Sequence, residues 1–151
     1  MRFDYIFKDA FDTFKVFQNL TVDQANELPE NAPQSIWQIL NHLAILQEEE
    51  LTILNDMNQK SAVKESESWV EQKTVDDQTQ LDRILVQLNK QIMSVKAKVS
   101  ELSISTNNLE QKLIAVQNFS VHLSFHLGEI VLIRRMNGSY PLAADMKDFL
   151  A

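Results

Sequence analysis

Apolar residues recur at helical spacing along most of the chain. Phe3, Phe7, Ala10, Phe14 and Phe17 are separated by steps of 4, 3, 4 and 3, which predicts a first helix with one apolar stripe. Thr21 through Pro33 breaks the pattern with Pro29, Asn31 and Pro33, so a connecting loop is expected there, with a short turn of helix at Val22–Glu27. Ser35 is a suitable cap for a second helix. Its apolar face holds Ile36, Ile39, Leu43, Leu46, Ile53 and Met57, and it is expected to end around Asn55–Asn58. The stretch Gln59–Thr74 is polar, interrupted by Trp69 and Val70, which are expected to pin it to the bundle.

A third helix is predicted from Asp76 or Asp77 to Leu102, with Leu81, Ile84, Leu88, Ile92, Val95, Val99 and Leu102 as its stripe. Ser103–Asn108 is a short polar loop. A fourth helix is predicted from Leu109 to Asn137, stopped by Gly138 with Pro141 beyond it. Asp145–Leu150 is expected to add a short terminal helix. Four amphipathic helices without a repeat or linker predict one all-α domain, 1–151, built as a four-helix bundle.

Composition narrows this picture. Only two glycines and three prolines occur in 151 residues, too few turn residues for an all-β or α/β fold. The formal charge of −7, with no dense basic run, disfavours nucleic acid as a partner. There is no cysteine, which excludes disulfides, thiolate metal sites and cysteine nucleophiles, and fits a reducing compartment. No stretch approaches the roughly 20 apolar residues of a membrane span. Asp4, Asp9 and Asp12 are foreign to a secretory signal, so a cytoplasmic location is expected.

The chemistry lies in three histidines. His122 and His126 are four apart on the fourth helix, so both imidazoles leave one face and can reach one ion. They share a stripe with Ala115, Phe119, Ile130 and Ile133, which predicts that they point inward. His42 lies between Ile39 and Leu46 on or beside the buried face of the second helix. Three inward imidazoles would leave a tetrahedral ion one open position, as in catalytic sites. Imidazole suits zinc, nickel, copper and iron, and of these zinc or nickel is expected here. The competing reading is that the three are ordinary packing histidines. No phosphate-binding glycine loop, nucleophile elbow or H-E-x-x-H motif occurs. The residues three before His42 and His122 are Ile39 and Phe119, neither acidic, which disfavours a carboxylate-bridged di-iron site.

The run His122-Leu-Ser-Phe-His126-Leu-Gly-Glu-Ile130, followed by Arg134-Arg135-Met-Asn-Gly138 and Pro141, resembles the last core helix of the DinB-like family. Ser35-Ile-Trp-Gln-Ile-Leu-Asn-His42-Leu resembles that family's second helix. The resemblance implies an up-down-down-up four-helix bundle, a metal held by His42, His122 and His126, and a homodimer. It also implies kinship with thiol-dependent transferases and a mycothiol-dependent maleylpyruvate isomerase. On that view a low-molecular-weight thiol takes the open metal position and attacks a small electrophilic substrate.

One departure is Glu129, where the family commonly has glutamine. A carboxylate there is expected to orient an imidazole, add a ligand or act as a catalytic base, or else to be a solvated glutamate. Glu49 has a weaker claim, and Glu48-Glu49-Glu50 reads most simply as a partly exposed face. Trp37 and Arg134 are candidates for cofactor or substrate binding, against plain readings as core and surface salt bridge. Gly128 in mid-helix suggests a close helix approach or room for a ligand. A non-catalytic metal-binding stress or interaction protein and a metal-dependent hydrolase stay open beside the transferase.

Overall fold

The computed structural model describes residues 2–57 and 62–151 and, among them, is all-α. The predicted end of the second helix at 55–58 and the polar stretch 59–74 thus fall partly outside the described residues. Three long helices dominate, α2 (Ile36–Leu54), α3 (Gln78–Glu101) and α4 (Leu109–Met136), with short helices α1 (Val22–Asn26) and α5 (Met146–Leu150). The starts follow local chemistry. Thr21 with Gln24, and Ser35 with Gln38, form reciprocal capping boxes at α1 and α2, and the Asp77 carboxylate accepts the Gln80 N–H to start α3. At the far end of α4, Gly138 takes φ +74°, a conformation that side chains resist.

The expected first helix is the main correction. Residues 4–11 and 14–19 are wound in successive turns and not in a regular helix. Asp12 accepts the backbone N–H of Phe14 at 2.7 Å, and Phe14 and Lys15 then adopt φ of 50° and 55°. An aspartate that bonds the backbone two residues on offers the chain an alternative to the helical ladder. The left-handed pair also shifts the buried face. Phe3, Phe11, Val16 and Leu20 enter the core while Phe14 is exposed. The segment still fills the fourth position of the bundle. Phe11 meets Phe119 of α4 edge to face at 5.7 Å, and Ser120 of α4 donates to the Ala10 carbonyl.

Cross-links give the directions. Lys112 near the start of α4 pairs with Asp56 just past the end of α2, so these two run antiparallel. The 65–75 strap returns along α2. Val70 and Lys73 carbonyls bond Gln38 and Ser35, and Val75 bonds Asn26. α3 therefore starts beside the start of α2 and runs with it, Gln91 reaching the Ala44 carbonyl and Glu48. With the N-terminal segment parallel to α4, the order is up-down-down-up. The stripe predicted for α3 is buried throughout, and buried side chains of all four positions form one continuous core.

Candidate metal centre

α2 and α4 are packed against each other, and their facing stripes carry the three histidines to one point inside the bundle. His42 and His126 are buried and His122 is half-buried. The Nε2 atom of His122 lies 3.2 Å from Nε2 of His42 and 3.1 Å from Nε2 of His126. Nitrogens bound tetrahedrally at about 2.0–2.1 Å from zinc sit about 3.3–3.4 Å apart. The donor set therefore fits one ion with little adjustment, and all three ligand atoms lie within 4.8 Å of one another.

The outer ring nitrogens settle the tautomers. Ser68 Oγ donates its single hydrogen to the Glu65 carbonyl at 2.6 Å, so it accepts from His42 Nδ1 at 2.8 Å. The His126 Nδ1–H donates to the Glu129 carboxylate at 2.5 Å. Both rings thus carry their proton on the outside and turn an Nε2 lone pair inward. Burial pushes all three imidazoles below their ordinary 6.5, helped for His42 and His122 by the neighbouring imidazoles, with His122 lowered to about 4. Unprotonated rings with converging lone pairs repel one another and suit a cation.

The strap between α2 and α3 supplies the remaining wall. Trp69 stacks face to face on His42, with centroids 3.8 Å apart and planes 5° apart, and Glu65 places a carboxylate oxygen 3.6 Å from His42 Nε2. The cluster opens into a cleft of about 660 Å³ whose wall includes Glu65, Trp69, Phe125 and Glu129.

Other candidates sit elsewhere. Trp37 packs against the core with its indole N–H buried and without a partner among the described residues, and does not line the cleft; Trp69 is the tryptophan there. Arg134 is also placed away from the cleft. Its guanidinium is buried and donates to the carbonyls of Val16, Gln18 and Ser139 and to the Ser139 hydroxyl, so its donors are engaged in holding chain segments together. Glu49 accepts the Val63 N–H and Glu48 takes Gln91, while Glu50 faces the cleft. Gly128 is exposed, and a Cβ there would meet nothing within 4 Å, so no close approach of another helix of this chain accounts for it.

Glu65, Ser68 and Trp69 come from a stretch with no periodicity, and only the tryptophan carried a signal, as an apolar residue in polar surroundings. Among family models, curated proteins and solved structures, none matches the chain. No helix among the described residues is long and apolar enough to cross a membrane.

Proposed function

We propose that the chain is a divalent-metal-dependent enzyme that transfers a small thiol to an electrophilic substrate. The supporting observation is the convergence of three Nε2 atoms at the head of a cleft, with the tautomers of His42 and His126 fixed from behind. His42, His122 and His126 hold zinc or nickel in this reading. When bound, the ion supplies a Lewis acid with one open position, which favours the thiolate over the thiol. The chain's own residues do the rest. Glu65, on the cleft wall 3.6 Å from His42 Nε2, accepts the proton released by the thiol. Glu129 holds the His126 ring in place and keeps its second carboxylate oxygen for proton transfer. Trp69 and Phe125 flank the cleft and exclude water. The DinB-like resemblance of the two histidine segments points the same way.

We further propose a homodimer through α4. Ile114, Val121, Phe125, Leu132 and Met136 leave an apolar row exposed along it, repeating at steps of 7, 4, 7 and 4. A row of this kind on an otherwise soluble surface marks an association face. Light scattering on the wild type and Leu132→Glu tests it; a monomeric wild type refutes it.

The test of the metal reading is the metal content of untagged protein, expected near one equivalent per chain and lost in His122→Ala. Metal-free protein that takes up no zinc or nickel overturns it. Thiols screened against electrophiles then separate the transferase from a non-catalytic metal-binding protein, and ester or amide substrates test for hydrolysis.

A further inference from the structure

The cleft continues past the histidines toward the C-terminal end of α2, where Gln47 and Glu50 stand one turn apart on its wall opposite Asn118 of α4. Gln47 is 1% exposed, yet neither its amide nitrogen nor its amide oxygen has a partner among the described residues. One Glu50 oxygen is likewise buried without a hydrogen-bond partner among the described residues. Buried polar groups are normally paired, and a group of orphans on a cleft wall marks contacts left for something that enters.

We infer that Gln47 and Glu50 form a subsite for a primary ammonium group on the ligand whose other end reaches the histidine cluster. The Gln47 carbonyl and the Glu50 carboxylate are both acceptors and an ammonium is purely a donor, with three hydrogens. Burial pushes the Glu50 carboxyl up, and a cation beside it reverses that penalty. Spacing gives the ligand's length. Gln47 is five residues and Glu50 eight residues beyond His42, about 7.5 and 12 Å along the helix, while Asn118 is about 6 Å from His122 along α4. The thiol therefore carries its amine roughly 7–12 Å from the sulfur.

This inference rests on reading the cleft as the site of a metal-dependent thiol enzyme, and the experiment separates the two. Cobalt-loaded protein is titrated with 6-aminohexane-1-thiol and with hexane-1-thiol, following the cobalt absorption. The amine is expected to tighten binding at least tenfold, and Glu50→Gln and Gln47→Leu each to remove most of that difference. Equal affinities for the two thiols overturn the subsite while leaving the metal reading intact. If no cobalt binds, the metal reading fails alone, and hexylamine binding to the metal-free protein decides the subsite. A shift of the Gln47 side-chain amide resonances that Glu50→Gln abolishes supports it, and no shift overturns it. Gln47→Leu is also expected to raise the Tm of the free protein, since it removes orphaned groups; a lowered Tm gives Gln47 a structural role and overturns its assignment.

Discussion

Ser68 has one hydroxyl hydrogen, and the strap's own turn claims it. That leaves Oγ able only to accept from His42, which fixes where the imidazole proton sits. Groups behind a ligand ring of this kind typically change metal affinity by 10–100-fold. Ser68→Ala is expected to weaken zinc binding by about tenfold without unfolding, read by competition with a chromophoric chelator; an unchanged affinity denies Ser68 this role. Gly128 makes the opposite case. Its exposed helical position has open space where a Cβ would go, so Gly128→Ala should stabilise the protein by about 1 kcal/mol with metal uptake unchanged, as urea denaturation can check. A destabilised variant would mean that something outside the chain packs against that position.

At the scale of elements, Arg134 is a clamp. It ties the end of α4 to the turns of the N-terminal segment and to the Gly138 corner, while Tyr140 donates to the Phe14 carbonyl where the backbone is left-handed. Replacement by Met strips the donor from the buried Val16 carbonyl and the partly buried Gln18 and Ser139 carbonyls, so Arg134→Met should cost about 3 kcal/mol. Hydrogen exchange should quicken first in residues 3–20. If stability holds and ligand binding is what suffers, Arg134 belongs to a site after all.

The elements themselves were legible to different degrees. α2, α3 and α4 announce themselves because period and cap agree, as in Ser35 with Gln38 and in the α3 stripe from Leu81 to Leu102. The N-terminal segment does not, because its phenylalanine spacing is helical while Asp12 diverts the backbone. The histidine triad was readable because i, i+4 spacing fixes a shared face whatever the tertiary detail. Glu65 and Ser68 were not, since their arrival depends on how a patternless strap returns along α2. The orphaned amide of Gln47 exists only once the core has closed round it.

For the whole molecule, the buried cluster couples stability to pH and metal. The imidazoles are pushed below 6.5 in the folded chain, so as pH falls below 6.5 the unfolded chain takes up protons that the folded one refuses. Metal-free protein should therefore lose stability from about pH 6.5 toward 4, where His122 itself titrates. Glu50 and Glu129, pushed up by burial, work the other way and flatten the lower part of that fall. Urea midpoints at pH 7, 6 and 5 with chelator present should decrease in that order; a flat series would contradict the burial of the rings. Adding zinc at 1,000 times its dissociation constant should add about 4 kcal/mol of stability at pH 7, seen as a rise in Tm that chelation reverses.

Two walls of the cleft, Glu65 and Trp69, hang from the segment between α2 and α3, where Trp69 lies flat against a ligand ring. An ion that steadies this ring must also steady the tryptophan, and through it the peptide bonds on either side. Trypsin should thus report the cation's presence far from any chemistry: cleavage after Lys64 and Lys73 slows when zinc is added and resumes when it is stripped away.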